Sequence, residues 1–259
     1  RYTALRHFPQ EDPRKRLAAA APLLYDPVKA VRIEAAQFLT TVPPSEMSAA
    51  VRKRLQTEID EYRQAMAYTG DFPASRHNLG NLYSNMGQYE KAIENYRKAI
   101  EIDGEFYPAK VNLAMVYNRL GKNAEAERLL REVATAHPDL HDIKYSLGLL
   151  LVEEKKYEEA VDFLFQAAHG LPQRSRIHYN LGLLLQQLQR DPEAEKALKQ
   201  ALAIEPNQPE YGYALAVFYL QRRQFEKARQ LAEKMMADPA SRSNGERLLA
   251  VIEQQRQAQ

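Results

Sequence analysis

The chain contains no cysteine among its 259 residues, which excludes disulfides, thiolate nucleophiles, thiolate metal sites and Cys-attached haem. Its 10 glycines are few, and this disfavours phosphate-cradling loops and all-β folds with many tight turns. No stretch approaches the roughly 20 uninterrupted apolar residues of a membrane span. The formal net charge is +2, from 36 Lys and Arg against 34 Asp and Glu, so no excess of one sign favours nucleic acid or acidic membranes.

What is present is the composition of a folded, soluble protein, with 45% apolar and 27% charged residues. The sequence starts at Arg1, without an initiator Met or a signal peptide, and we expect it to be a piece of a longer polypeptide or a processed form. The absence of cysteine fits a periplasmic protein as well as a cytoplasmic one, so the compartment stays open.

A repeat of 34 residues runs through most of the chain. Six leucines recur at that interval: Leu79, Leu113, Leu147, Leu181, Leu215 and Leu249. A small residue follows each of them: Gly80, Ala114, Gly148, Gly182, Ala216 and Ala250. A second small series keeps the same interval: Ala92, Ala126, Ala160, Ala194 and Ala228. Six coincident positions at one period rarely arise by chance, so the pattern indicates a repeat architecture.

Each repeat predicts two helices. In one unit Leu79, Leu82 and Met86 fall on one face of a helix, at i, i+3 and i+7. Gly87 ends that pattern, and Ala92 begins a second apolar face at helical spacing. Two helices of about 14 residues with a short turn between them make a helical hairpin. The small residues let the two backbones come close, since larger side chains there would push the helices apart.

This pattern resembles the tetratricopeptide repeat (TPR). Residues 78–83 read Asn-Leu-Gly-Asn-Leu-Tyr, and residues 87–92 read Gly-Gln-Tyr-Glu-Lys-Ala, which matches the repeat motif nearly throughout. Five units are predicted within residues 73–242. They start near Pro73, Tyr107, His141, Ser175 and Pro209. The resemblance implies an all-α, right-handed superhelical solenoid of antiparallel helix hairpins.

The turn within each hairpin departs from the motif in the later units. Gly87 and Gly121 occupy this position first, and Lys155, Gln189 and Arg223 replace glycine afterwards. A positive φ costs a non-glycine residue about 1 kcal/mol. We therefore expect the three later turns to differ in shape from the first two.

The regions outside the repeats are predicted to be helical as well. Residues 45–72 are interpreted as a long connecting helix that covers the first hairpin, and residues 243–259 as a C-terminal capping helix with its helical part from Glu246 to Gln257. Residues 1–44 are predicted to form a helical hairpin, with one helix over Pro13 to Tyr25 and a second that starts with Asp26 as N-cap and Pro27 at the first helical position.

The second of these N-terminal helices resembles a HEAT-type repeat, which reads Asp-Pro, then Val-Arg, then Ala, then Leu. Asp26, Val31, Arg32, Ala35 and Leu39 fit that order. A HEAT-like hairpin followed by a connecting helix and TPR units is similar to C-terminal regions of bacterial proteins that carry a multihaem cytochrome domain upstream. That resemblance implies a periplasmic setting, which slightly favours the periplasm over the cytoplasm.

Catalytic, cofactor and metal sites are not predicted. His137 and His141 lie four residues apart, as two metal ligands on a helix can, but Pro138 and the repeat register place them across a turn between units. Acidic pairs such as Glu153 and Glu154 are interpreted as solvated helix faces beside lysines. There is no Walker-type or dinucleotide-binding glycine pattern. We therefore expect a protein without enzymatic activity and without a cofactor.

The first helices of the hairpins are expected to line a concave groove suited to ligands. A set of residues at equivalent places in these helices forms the predicted peptide-binding groove: His77, Asn78, Asn81, Val111, Asn112, Met115, Asn118, Arg119, Tyr145, Leu149, Tyr179, Asn180, Leu183, Gln186, Tyr213 and Val217. Tyr145, Tyr179 and Tyr213 are predicted to form a stripe. Arg119 and Arg176 are interpreted as cations at its edge.

Two interpretations of these residues compete. Asn side chains offer a donor and an acceptor to a peptide backbone, and Tyr adds flat amphipathic contact area. Alternatively, the asparagines form hydrogen bonds between hairpins and the tyrosines fill gaps between neighbouring first helices. TPR proteins that grip chaperone C-termini use a clamp of Lys, Asn, Asn, Lys and Arg. The matching places here hold His77, Asn81, Asn112 and Ser146, so the cations of that clamp are missing.

The leading hypothesis is a non-enzymatic protein–protein interaction scaffold that binds an extended or helical protein segment in the groove. The alternative is a structural or assembly arm that packs on an upstream domain, such as a multihaem cytochrome, or on another copy, with no separate peptide ligand. Both hypotheses name a protein as partner and exclude nucleic acid and membrane insertion. Homo-oligomerisation stays open.

Overall fold

The computed structural model describes residues 12–257, and in them it has fourteen α-helices, two short 3-10 helices and no strand. The described residues form two compact units whose boundary falls between Leu129 and Leu130, within α7. Unit 1 contains α1 (Pro13–Ala20), α2 (Lys29–Leu39), α3 (Ala49–Tyr68), α4 (Pro73–Asn85), α5 (Tyr89–Ile102), α6 (Tyr107–Arg119) and the start of α7 (Asn123–Ala136). Unit 2 contains the rest of α7, α8 (His141–Glu153), α9 (Tyr157–Gly170), α10 (Ser175–Gln187), α11 (Asp191–Ile204), α12 (Pro209–Gln221), α13 (Phe225–Ala237) and α14 (Arg242–Gln257).

The repeat helices begin where the sequence predicts. The first helices of the five hairpins are α4, α6, α8, α10 and α12, and they start at Pro73, Tyr107, His141, Ser175 and Pro209. Successive helices of one hairpin, such as α4 with α5 and α10 with α11, pack directly against each other. The all-α class and the run of helix hairpins are therefore confirmed within each unit.

Small residues set the distance between the two helices of a hairpin. A Cβ built on Gly80 would overlap the ring of Tyr96 on α5. A Cβ on Gly148 would lie 2.9 Å from Leu164 Cγ, again closer than carbon atoms pack. At both positions glycine leaves room for a large side chain of the second helix, which lies directly on the backbone of the first.

The five turns within the hairpins share one shape, so the expectation that the later turns differ is wrong. Their φ angles are all positive: 71° at Gly87, 72° at Gly121, 62° at Lys155, 58° at Gln189 and 54° at Arg223. In each, the next amide donates to the carbonyl five residues earlier, as Gln88 does to Tyr83 at 2.8 Å and Arg190 to Leu185 at 2.9 Å. These bonds satisfy helix-end carbonyls, and they hold a non-glycine residue in the left-handed region despite a cost of about 1 kcal/mol.

The N-terminal helices differ in detail from the prediction. The helix expected over Pro13 to Tyr25 ends at Ala20 and continues as a 3-10 helix, Ala21–Tyr25, because Pro22 has no amide hydrogen to donate to the α-helical ladder. Asp26 is not the N-cap of α2, which starts at Lys29. Its Oδ1 instead accepts a hydrogen bond from the Val28 amide at 2.9 Å, which makes a side-chain turn ahead of the helix.

Two further helix starts are shifted. Pro44–Glu46 form a 3-10 turn, and α3 starts only at Ala49, after Ser48 accepts a hydrogen bond from the Val51 amide at 3.3 Å. The C-terminal helix starts at Arg242, four residues before the predicted Glu246. Ser241 precedes it and donates its hydroxyl to the Met235 carbonyl at 2.9 Å, so the chain turns back earlier than the apolar pattern indicates.

The ends of the repeat run are covered by helices outside it. In unit 1, Leu55, Ile59 and Tyr62 of α3 lie in one buried cluster with Leu39 of α2 and Leu82 of α4. In unit 2, Leu248 of α14 lies in a buried cluster with residues of α12 and α13: Ala216, Ala232 and Met235. Both arrangements remove from water an apolar hairpin face that would otherwise be exposed.

Candidate functional site

The predicted tyrosines lie on three first helices of unit 2, with Tyr145 on α8, Tyr179 on α10 and Tyr213 on α12. Tyr145 and Tyr179 are half-buried, whereas Tyr213 is 41% exposed. The Asn180 Nδ2 donates to the Tyr145 hydroxyl at 2.8 Å. This bond joins α10 to α8. The Asn180 amide and the Tyr145 hydroxyl, both predicted to contact a ligand, thus already bond to each other between hairpins.

Arginines lie over two of these rings. The Arg176 guanidinium lies 5.4 Å from the ring centroid of Tyr179 and 5.7 Å from that of Tyr211, distances at which a cation is attracted by the ring face. It also pairs with Glu210 at 2.8 Å. Arg174 lies 5.9 Å from the Tyr145 centroid and pairs with Asp142. The predicted edge cation Arg176 is therefore engaged by an aromatic pair and a carboxylate.

The phenols of Tyr145 and Tyr179 are neutral at physiological pH. Burial, with a further contribution from Glu210, raises the pKa of Tyr179 to about 12. Burial likewise raises the pKa of Tyr145 above its usual value. Each hydroxyl therefore keeps its proton and can donate a hydrogen bond as well as accept one.

Apolar side chains are exposed between the tyrosines. Leu183 on α10 is 38% exposed, and Leu149 on α8 and Val217 on α12 are half-buried. Gln186 lies one turn beyond Leu183 and donates to the Gln221 side chain at 2.8 Å. The first-helix face of unit 2 thus presents apolar and aromatic surface with amide groups along one side.

The equivalent face of unit 1 is a polar network. Asn112 on α6 donates from Nδ2 to the Asn81 Oδ1 of α4 at 2.7 Å, and the same nitrogen lies 2.9 Å from His77 Nε2. The Tyr96 hydroxyl donates to the same Asn81 oxygen at 2.8 Å. Asn78 Nδ2 lies 3.9 Å from the Met66 sulfur. These amides bind their own neighbours, as the second interpretation of the sequence predicts.

His77 is neutral within this network. Burial lowers its pKa from the ordinary value, and its ring packs edge-on against Phe106 with centroids 5.5 Å apart. Because Asn112 Nδ2 carries only donors, His77 Nε2 must accept, which places the imidazole proton on Nδ1. Protonation of Nε2 would set two donors against each other.

The remaining predicted residues of unit 1 lie on α6. Met115 is 63% exposed and Val111 is half-buried. Asn118 donates to the Asn123 side chain at 3.3 Å. Arg119 donates to the Tyr89 hydroxyl at 3.1 Å and lies 5.7 Å from that ring centroid. The predicted edge cation of unit 1 is therefore held against a second helix.

Two cavities include residues outside the predicted set. In unit 1, a cavity of about 310 Å³ is lined by Asn78 and Asn81 of α4 and by Ile33 and Gln37 of α2. In unit 2, a cavity of about 610 Å³ lies between α12 and α14. The predicted groove is limited to the five hairpins of residues 73–242, so it leaves out α2 and α14, although Leu249 keeps α14 in the 34-residue register.

The histidine pair next to Pro138 lies across a turn between helices, as predicted. His141 begins α8, and its ring lies directly on Gly170 at the end of α9. In the part of the chain that the structure describes, no group of three or more His, Asp or Glu side chains could hold a metal ion. Among the same residues, no helix is both long enough and apolar enough to cross a membrane.

Comparisons with known proteins agree with this architecture. Models of the tetratricopeptide repeat match residues 73–106, 111–175, 151–216 and 192–252. These matches begin at residue 73, and they give no support to the HEAT-type resemblance or to a link with multihaem cytochromes. No curated protein matches the chain in sequence.

Solved structures show the same fold. YrrB, a TPR protein, is 21% identical and superposes with a TM-score of 0.60 over 72% of this chain and 97% of its own. PilF of Pseudomonas aeruginosa is 29% identical, with a TM-score of 0.54 over 67% of this chain and 75% of its own. MamA from Desulfovibrio magneticus RS-1 is 15% identical, with a TM-score of 0.56 over 72% and 96%. The chain belongs to the tetratricopeptide repeat family.

Proposed function

We propose that this protein is a non-enzymatic scaffold that binds an extended or helical protein segment, chiefly on the first-helix face of unit 2. TPR domains are generally protein–protein interaction scaffolds and are typically non-catalytic. The proposal names the partner as a protein because the exposed face combines apolar side chains with amides and phenols, which suit peptide groups.

One observation carries the proposal: unit 2 leaves apolar and aromatic side chains partly exposed in equivalent places on successive first helices. Leu183 is 38% exposed and Tyr213 is 41% exposed. Covering such side chains with a partner contributes about 25 cal/mol per Å² of apolar area removed from water. Tyr179 belongs to the same row, and its ring is already ordered by Arg176 and Tyr211, so little entropy is lost on binding.

The asparagines of unit 1 receive a different role in this proposal. Asn112 already uses Nδ2 for Asn81 and His77, which leaves only its carbonyl oxygen for a ligand. We therefore assign Asn81 and Asn112 mainly to holding α4 and α6 in register. Met115, exposed beside them, offers the most apolar area among the predicted groove residues of unit 1.

The experiment compares variants of the two faces. The full chain is immobilised, partners are captured from the native cell extract, and the amount of each captured protein is measured by mass spectrometry. Tyr179→Ala and Leu183→Ala are expected to lower capture of a specific partner about tenfold, since truncation of central aromatic or apolar contacts removes most binding energy. Asn112→Ala is expected to lower thermal stability and to leave capture within about threefold.

Matched controls separate binding from folding. Phe165 on α9 is 40% exposed but lies on a second helix, so Phe165→Ala removes similar apolar area away from the proposed face. Its capture is expected to equal that of the unaltered chain. If folded Tyr179→Ala and Leu183→Ala proteins capture partners as well as the Phe165→Ala protein does, the proposal fails.

YrrB is described as a TPR protein with an unusual peptide-binding site, and this statement belongs to YrrB alone, because 21% identity supports only a common fold. The HEAT-like character of residues 1–44 and a multihaem cytochrome neighbour stay hypotheses.

The assembly-arm hypothesis is favoured by a specific observation in unit 1. Tyr68 at the end of α3 is 91% exposed, and Phe72 just before α4 is 65% exposed. Large aromatic side chains exposed together are typical of interaction surfaces. If this surface joins two copies, light scattering gives a dimer mass for the unaltered chain and a monomer mass for Tyr68→Ser with Phe72→Ser. A monomer in both cases contradicts self-assembly through this surface.

A further inference from the structure

The cavity of about 610 Å³ at the C-terminal end of unit 2 has an apolar wall. Its volume lies within the range of roughly 300–1,000 Å³ that is usual for ligand sites. The apolar lining comes from α12, α13 and α14: Tyr213, Val217, Leu220, Phe225, Leu248 and Val251. Tyr213 and Val251 are 41% and 39% exposed, so side chains on both sides of the cavity are open to a partner.

Two arginines also line this cavity, and neither is neutralised. Arg223 lies in the turn between α12 and α13, and Arg247 lies on α14. Among the described residues, neither guanidinium has a hydrogen-bond or ion-pair partner. The other arginines of unit 2 have partners: Arg131 with Glu159, Arg174 with Asp142, Arg176 with Glu210, Arg190 with Glu193, Arg222 with Asp191, Arg229 with Glu233, Arg256 with Glu226, and Arg242 with the Met236 carbonyl. Arg223 and Arg247 therefore stand out by their free donors.

The charge at the cavity is of one sign. The remaining lining residues are Gln221 and Gln255, so no described carboxylate lines the cavity beside the two guanidiniums. Two cations at an apolar wall attract an anion more strongly than cations in open water do, because the wall lowers the local dielectric constant. Guanidinium groups bind carboxylates with two parallel hydrogen bonds. The arrangement thus combines an apolar surface with an anion-binding rim.

We propose that this cavity binds an acidic stretch of the partner protein, with an apolar side chain inserted between α12 and α14 and flanking Asp or Glu carboxylates on Arg223 and Arg247. The proposal rests on the proposed function and deepens it, since it names the chemistry of the segment and the end of unit 2 at which it is held. It also assigns α14 a direct contact role in addition to covering the hydrophobic core.

The test is a selection of random decapeptides displayed on phage against the full immobilised chain, followed by fluorescence anisotropy with synthetic copies of the selected peptides. We expect the selected peptides to be enriched in Asp or Glu within four residues of a Leu, Ile, Phe or Trp. The double variant Arg223→Gln with Arg247→Gln is expected to bind them at least tenfold more weakly and with less dependence on salt.

The variants are chosen to keep the fold intact. Glutamine already occupies the position equivalent to Arg223 in the preceding hairpin, where Gln189 has a φ of 58°. Arg247 is exposed on its helix. The matched control is Lys196→Gln with Lys234→Gln, which removes two exposed cations of unit 2 outside the cavity. We expect this control to retain binding within about twofold.

The outcomes distinguish this proposal from the proposed function. Selected peptides without acidic enrichment, or equal loss of binding in the arginine and lysine double variants, overturn the assignment of the cavity. Peptides that lose binding in Tyr179→Ala but not in the arginine variant leave the first-helix face as the binding surface and overturn this inference alone. A selection that yields no binding peptide contradicts both.

Discussion

The two units build the same hairpin with different chemistry on the first-helix face. In unit 1, His77, Asn81 and Asn112 bond to one another and to Tyr96. In unit 2, the places equivalent to His77 and Asn81 hold Tyr, Leu and Val side chains that stay partly exposed, while Asn180, equivalent to Asn112, donates to the Tyr145 hydroxyl. The same architecture can therefore use its first-helix face for hydrogen bonds between hairpins or for surface that a partner can contact.

The contact between the two helices of a hairpin also differs between the units. The glycine of the first hairpin in unit 1 lies under the Tyr96 ring, whereas Gly148 and Gly182 in unit 2 lie under Leu164 and Leu198. The Tyr96 ring is held by its hydroxyl on Asn81, and a leucine side chain has no such restraint. Unit 1 is therefore expected to tolerate changes at the helix–helix contact less well than unit 2.

The largest expected effect is at these glycines. Gly80→Ala places a methyl group into the restrained Tyr96 ring and is expected to lower the free energy of unfolding by about 2 kcal/mol, within the usual cost of overpacking. Gly148→Ala meets Leu164 side-chain atoms at 2.9 Å, which can move, and alanine favours the helix over glycine by up to about 1 kcal/mol. Its net loss is expected to stay below about 1 kcal/mol. Urea unfolding followed by circular dichroism measures both, and equal losses would remove the contrast between the units.

An intermediate effect is expected at the hairpin turns, where unit 1 has glycine and unit 2 does not. Gly87→Ala is expected to cost about 1 kcal/mol, because its φ of 71° disfavours a side chain. Gln189→Gly is expected to stabilise the protein by about 0.5–1 kcal/mol for the same reason. The control is Gly104→Ala, where a Cβ meets no atom within 4 Å and φ is not positive, so no loss is expected. A destabilised Gln189→Gly protein contradicts the argument.

The smallest expected effect is a pH dependence that belongs to unit 1. Burial holds the pKa of His77 below the ordinary 6.5, so the unfolded chain binds this proton more readily than the folded chain does. The contribution of neutral His77 to the free energy of unfolding is fully present above pH 6.5. It is lost as the pH falls from there toward the lowered pKa of the folded state. His77→Gln retains an acceptor for Asn112 and does not titrate.

The measurement is the difference in unfolding free energy between His77→Gln and the unaltered chain, taken by urea unfolding from pH 7.5 to 5.0. The unaltered chain is expected to lose stability relative to the variant on the acid side. The other histidines are common to both proteins, so their titration cancels in the difference. A constant difference across this range would show that His77 has the same pKa in both states.

Much of the repeat architecture could be predicted from residue spacing alone. The five first helices start at the predicted residues, because each start coincides with a period set by Leu and small residues. The turn shape at Lys155, Gln189 and Arg223 could not be predicted from residue preference. Helix-end hydrogen bonds outweighed the local cost of a positive φ, and only the folded hairpin supplies those bonds.

The candidate site was predictable as a set of positions and less so as a set of roles. Periodicity placed Asn112 and Tyr179 on first helices, but each allowed both a binding and a structural interpretation. The contacts of Asn112 with Asn81 and His77 depend on the approach of α4 and α6. Arg223 and Arg247 both lie at repeat positions, 34 residues after Gln189 and Tyr213, but whether a guanidinium finds a partner there depends on how α12, α13 and α14 pack.

By itself, the order of the residues determined that this protein is all helical, that its helices pair into hairpins and where each hairpin begins. These features follow from local rules, namely the helical period of apolar residues, the small residues at close contacts and the proline and glycine breaks. Tertiary structure alone decided which amides bond between hairpins, which tyrosines stay exposed and which arginines remain unpaired. Those outcomes depend on distances between side chains that are far apart in the chain, and such distances arise only when the helices pack.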